Sequence, residues 1–174
     1  GPYTYFQDFH MEIKKKLSKN WRATATYYNF VYNFSTLIKG ASDYDYDAAG
    51  SEPDIFTVNA GVLELLYKIK PRHSLRTEIQ GLFTEGDRGD WALLLLEYSI
   101  APSWFFAIQD AYNYGNPEED LQIHYLSTNV GYSFGTTRFQ LGYGRQQQGV
   151  FCVGGICRIV PASNGFTFSV TSNF

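Results

Sequence analysis

The feature that most constrains this chain is an alternation nested in another. Apolar and polar residues alternate with period 2 through about nine segments, near 3–18, 21–36, 55–70, 74–85, 91–101, 104–114, 121–134, 137–152 and 157–174. The connections between them alternate in length. "SKNW", "KPRHS", "APSW" and "FGTT" are short. "KGASDYDYDAAGSEPD", "TEGDRGD", "YGNPEED" and "QQQGVFCVGGICRIVPASNG" are longer, the last reading in part as a strand extension. Several segments exceed the roughly 5–6 residues of a soluble strand and suit the about 9–11 residues of a tilted membrane strand. Strands tied by short turns at one end and long loops at the other follow the plan of an outer-membrane barrel, whereas a soluble sandwich has no reason to sort its loops. The expected fold is all-β, an antiparallel transmembrane β-barrel. "MEIKKKLSKN" comes nearest to a helical pattern, but it continues the alternation of "YFQDFH" and is read as strand.

Composition agrees. Aromatic residues make up 18% of the 174, charged residues only 18%, and glycines number 16. The longest apolar run, "ALLLL" at 92–96, is far from the roughly 18–20 residues of a spanning helix. A net charge of -3 gives no reason to expect nucleic acid. "GPYTYFQDFH" has neither the basic nor the apolar region of a signal peptide, so the chain reads as mature or as a piece. With short turns at the periplasm, the C-terminus lies at the periplasmic rim and the N-terminus outside. External loops then fall near 39–54, 86–90, 115–120 and 146–164. Bacterial barrels have an even number of strands. An odd count means one strand is miscounted or, as preferred here, the chain is the C-terminal portion of a larger barrel.

Alternation sorts the faces. Phe9, Met11, Ile13 and Leu17 are expected outside, with Asp8, His10, Glu12, Lys14 and Lys16 inside. Glu64, Lys68, Lys70, Arg76, Glu78 and Glu97 join the inner face. Leu126, Thr128, Val130, Tyr132, Phe134, Phe139, Leu141 and Tyr143 face lipid. Mixed charges suit a water-bearing or salt-bridged interior, whereas Lys or Arg facing lipid at the midplane costs about 2–4 kcal/mol. Asp110 resists, sharing parity with Phe106 and Ile108; a bulge or a place near the outer rim would accommodate it. Lys15 also falls outside but near a turn, where it can snorkel. Trp21, Trp91, Trp104, Tyr132, Phe134 and Tyr143 suit interfacial girdles. A soluble barrel with a packed interior is the alternative; it predicts neither the loop sorting nor the terminal Phe174.

Candidate chemistry is sparse. Cys152 and Cys157 flank "VGGI", a two-residue hairpin signal. They would face each other and form a disulfide in an oxidising compartment. A redox or metal role lacks a neighbouring His. Asp43, Asp45 and Asp47, with Glu52 and Asp54, offer oxygens for Ca²⁺ but lack EF-hand spacing, so a solvated acidic loop is the preferred reading. His124 with Ser127 is the pair a barrel hydrolase would need, yet no hydrolase motif accompanies it. Arg145 has outward parity and could meet lipopolysaccharide phosphates. No cofactor, metal site or catalytic residue is expected.

The stretch "GRQQQGVFCVGGICRIVPASNGFTFSVTSNF" at 144–174 resembles the C-terminal end of an uncharacterised outer-membrane β-barrel family of Bacteroidota, and "DAYNYGN" at 110–116 is similar to it too. The resemblance implies location and architecture, and a longer protein, but no activity. The last strand also resembles the signal read by the barrel-assembly machinery, with Phe166, Phe168, Val170 and Phe174 as its apolar residues. The functional expectation is a structural or porin-like barrel of a Gram-negative outer membrane. Its partners would be lipid, lipopolysaccharide and the assembly machinery, and other outer-membrane proteins if it serves as a subunit of a complex. An outer-membrane hydrolase is the remaining alternative.

Overall fold

The computed structural model describes residues 6–33, 55–84, 89–146, 149–153, 156–160 and 162–172. Within them run β1 (Phe6–Lys16), β2 (Trp21–Asn33), β3 (Ile55–Lys70), β4 (His73–Thr84), β5 (Trp91–Ile100), β6 (Trp104–Tyr112), β7 (His124–Phe134), β8 (Thr137–Gln146), β9 (Gly149–Val153), β10 (Ile156–Val160) and β11 (Ser163–Ser172). The one helical element among the described residues is a 3-10 turn, Glu119–Leu121. Nine strands form a single sheet in the order β1-β2-β3-β4-β5-β6-β7-β8-β11, while β9 and β10 make a separate hairpin. Every neighbouring pair is antiparallel.

The sheet is not closed into a barrel: β1 and β11 are its edges, and no ladder joins them among the described residues, an arrangement compatible with a portion of a larger barrel. One expectation is corrected. The expected strands 137–152 and 157–174 each divide in two. The β8–β11 ladder ends at Ser163↔Gln146, and pairing resumes within the β9–β10 hairpin at Val160↔Gly149. The alternation continues through that break, so periodicity could not mark it. Near it, Gly144 (φ 145°) and Gly165 (φ 138°), both in the glycine-favouring region, pair directly across β8 and β11.

One layer of sheet, with its extensive contacts only between neighbouring strands, nevertheless buries Leu95 to 2% exposure and Phe105 to 5%. A single layer achieves this only if it curls, so that neighbours crowd over the concave side. Leu95, Phe105, Ala107 and Leu93 form that small apolar centre. The register carries this inner face across every strand: Lys14↔Thr24, Thr24↔Glu64, Glu64↔Glu78, Arg76↔Glu97, Glu97↔Ala107, Ala107↔Asn129, Asn129↔Gly142 and Gly142↔Thr167. The opposite, outer face is apolar along the whole sheet. Phe9, Met11, Ile13, Leu63, Ile79, Phe83, Leu94, Leu96, Phe106, Ile108, Leu126, Phe139, Leu141, Phe166, Phe168 and Val170 all lie exposed on it.

The short turns are firmly made. Lys70 pairs with His73 across the β3–β4 turn after a register shift between Lys68 and Lys70, and Arg72 takes the left-handed conformation there (φ 69°). The shift ends the inner-face alternation before Lys70, which was expected inside.

Candidate functional site

The inner face of β1, β3, β4, β5 and β8 gathers the charged residues that alternation assigned to it. Glu64 and Glu78 are direct cross-strand partners, an arrangement that is unfavourable for like charges. Arg76 resolves it. Its Nε donates to Glu64 Oε2 at 2.6 Å, and its Nη2 donates to Glu78 Oε2. Gln80 Nε2 donates to the other oxygen of Glu78. Arg76 is also opposite Glu97, a buried residue 7% exposed. On β1, Lys14 Nζ pairs with Glu12 Oε1 at 2.9 Å, with both side chains largely exposed. His10 lies opposite Tyr28, ring centroids 6.0 Å apart, and Asp8 is opposite Phe30.

Beyond β5 the inner face is packed rather than open. Phe105 lies opposite Gly131, where an added Cβ would be 1.7 Å from Phe105 Cε1. The glycine is the slot the ring occupies. The Arg138 guanidinium stacks over the same ring at 4.0 Å and interacts electrostatically with Glu97. Next to it, Gln140 Nε2 donates to Asn129 Oδ1 at 3.0 Å, with both residues buried. Gly142 leaves room for Asn129 Oδ1 and Thr167 Oγ1, which a Cβ there would meet at 2.5 and 2.6 Å. The partners of Gly131 and Gly142 depend on register, which the sequence did not supply.

The outer face handles its few polar groups in pairs. Asp110 keeps its outward parity, directly between Leu94 and Leu126. The expected bulge is absent there. Instead, its Oδ2 lies 2.7 Å from His124 Nδ1, and the Tyr112 ring stacks on His124 at 4.1 Å. Tyr27 Oη and Asn29 Nδ2 donate to Asn59 Oδ1 at 2.6 and 2.9 Å. His73 Nδ1 lies 2.6 Å from Tyr98 Oη.

Several single-residue expectations change. His124 is exposed on the outer face and Ser127 is buried on the inner one, because three residues along a strand reverse the face; the pair a hydrolase would need is not brought together. Trp91 has inner parity, opposite Leu82, and tilts against Tyr125 at 5.6 Å, so it is not part of an outer girdle. Trp21 stacks on Tyr67 at 4.4 Å and Trp104 on Tyr132 at 4.6 Å, both toward the short turns. Arg145 leaves the outward alternation just after Gly144, with its guanidinium 5.3 Å from the centroid of Tyr125 on the inner side.

Cys152 and Cys157 are direct partners in the β9–β10 register, although their side chains are outside what the structure describes. Phe174 and the acidic residues Asp43, Asp45, Asp47, Glu52 and Asp54 lie outside the described residues. Among the described residues, no three His, Cys, Asp or Glu side chains converge as a metal site would need, and no helix is long and apolar enough to cross a membrane.

One protein-family model matches residues 1–174, and its description is "Family of unknown function (DUF6029)". No curated protein and no solved structure matches the chain.

Proposed function

The chain belongs to the family of unknown function DUF6029, and we propose that it forms part of an integral β-barrel of a Gram-negative outer membrane, structural or porin-like in role. One observation carries the reading. All nine strands of the sheet present exposed apolar side chains on the same face, from Phe9 on β1 to Phe168 on β11, with nothing packed over them among the described residues. In water, an apolar surface of that extent marks an interaction site; in hydrocarbon it is the ordinary lipid face. The charged and amide-rich opposite face supports a polar interior. The pairing of Asp110 with His124, and of Asn59 with Tyr27 and Asn29, supports an outer face adapted to low water content. The likeness of 144–174 to a Bacteroidota outer-membrane family supports the same location. The short turns are assigned to the periplasmic side, and with them the end of β11.

The open edges extend the reading. Among the described residues β1 and β11 have no strand beyond them; backbone groups on such edges cannot be left in hydrocarbon, so this reading completes the barrel with further strands. Those come from a longer chain or from a second outer-membrane protein, which is the protein-interaction alternative. The reading assigns no catalytic residue.

The test is to express the chain behind a cleavable signal sequence in a Gram-negative host. The expected result is recovery in the outer-membrane fraction, with a gel mobility that changes on boiling. Conductance in a planar bilayer then separates a porin-like pore from a closed subunit. Recovery as a water-soluble monomer without detergent overturns the proposal.

A further inference from the structure

The short-turn end of β1–β4 carries positive charge that the barrel reading does not use. Lys16, Lys19, Arg22 and Lys68, together with Ser18 and Asn20, line an open pocket of about 70 Å³, and no acidic side chain lines it. A water needs about 10–15 Å³, so the pocket admits several waters or one phosphate-sized group. The nearby carboxylates are engaged elsewhere: Glu12 with Lys14 and Glu64 with Arg76.

The backbone that presents these cations is fixed. Leu17 N and Ser18 N donate to Trp21 O at 3.0 and 3.3 Å, and Lys68 N donates to Asn20 O at 2.8 Å, tying β3 to the β1–β2 turn. Ser18 Oγ accepts from Asn20 N and Trp21 N, both at 3.2 Å. Lys16 and Arg22 are direct cross-strand partners, a like-charge pair that weakens a sheet. Lys19 and Lys68 add to the repulsion. An anion in the cavity removes it, and Arg22 offers the planar fork that grips phosphate oxygens, with the lysines as point charges.

We propose that this pocket binds a phosphate group, carried either by a free diphosphate or by the headgroup of an anionic phospholipid. The site stands on its own residues and does not rest on the membrane reading. At a periplasmic rim it would face lipid headgroups and passing solutes; in a soluble sheet it would still bind the free anion.

The test is calorimetric titration of the full chain, in whichever of buffer or micelles keeps its β circular dichroism. The probes are inorganic pyrophosphate and, separately, short-chain phosphatidylglycerol against short-chain phosphatidylcholine. Saturable binding of pyrophosphate, with no preference between the two lipids, identifies a free phosphate source. Tighter binding of phosphatidylglycerol than of either other probe identifies a lipid source. In both cases Arg22→Gln with Lys68→Gln weakens binding by about tenfold or more, raising the salt weakens it further, and Arg145→Gln, at the opposite end of the sheet, leaves it unchanged. Where the double variant does not fold, Lys19→Gln in the exposed turn replaces it, with an expected loss of about threefold. Absence of saturable binding for all probes, or unchanged affinity in the folded pocket variants, overturns the proposal. Neither result bears on membrane fractionation, which tests the barrel reading separately.

Discussion

Gly131 and Phe105 share one space: the ring occupies the position of a Cβ at 131. Gly131→Val is expected to destabilise the fold by about 1–3 kcal/mol through overpacking, read from denaturant unfolding. In a Phe105→Ala background the same change is expected to cost much less, and that non-additivity is the signature of the shared space. Arg76 makes a second prediction. Arg76→Met leaves Glu64 and Glu78 facing each other. With the Arg76 side chain 25% exposed, the loss is expected at about 1–3 kcal/mol, below the about 3–5 of a fully buried pair. Glu64→Gln with Glu78→Gln should remove most of that loss in the combined variant. Alternation alone placed Glu64, Arg76, Glu78 and Glu97 on one face. It could not show that Arg76 bridges two acids, because that depends on which residues stand opposite across β3, β4 and β5.

Strands were the legible elements. Period 2 is a direct consequence of side chains leaving a strand on alternate sides, so β3, β5 and β6 begin within a residue or so of where the pattern places them. The pairing of β9 with β10 was legible in "VGGI", but their separation from β8 and β11 was not, because apolar residues run on through "GVFCVGGICRIV" and the loss of pairing with the main sheet leaves no mark in the pattern. On β11 the faces give a test of the membrane proposal. Phe168→Lys, on the outer face, is expected to cost about 2–4 kcal/mol of folding free energy in lipid if it lies near the midplane, whereas Thr167→Lys on the inner side should cost little. Equal effects would count against a lipid-facing strand. In the β9–β10 pair, Cys152 and Cys157 are directly opposite, and opposite residues of an antiparallel pair have Cα atoms about 4.5–5.5 Å apart. That lies in disulfide range. The protein isolated from an oxidising compartment should therefore show no reactive thiol until reduced. Free thiols in the folded, unreduced protein would exclude the bond.

At the scale of the molecule, the controlling feature is the pair of open edges. β1 is 11 residues long, exposed on both faces, and carries Phe9, Met11 and Ile13. Such an edge pairs with whatever strand it meets. The chain of residues 1–174 in micelles is expected to self-associate, as measured by light scattering; a uniform monomer would mean that β1 and β11 pair with each other after all. Closure was the part the sequence could not disclose. It is decided by strand number, tilt and stagger together, and no local pattern records them. The two halves of the sheet also differ in a way with consequences for flow. From β5 to β8 the inner surface is filled: Phe105 sits in the hollow left by Gly131, Arg138 lies on Phe105, and Gln140 and Asn129 close the space beside them. On β1 and at the short-turn ends of β2 and β3 the inner charges stand exposed. In hydraulic terms, one half of the molecule is a wall and the other a wetted bank. If the proposed barrel conducts, its current is expected to run along the bank, past Lys14, Lys16, Arg22 and Lys68, and to be throttled by the chemistry of those four side chains.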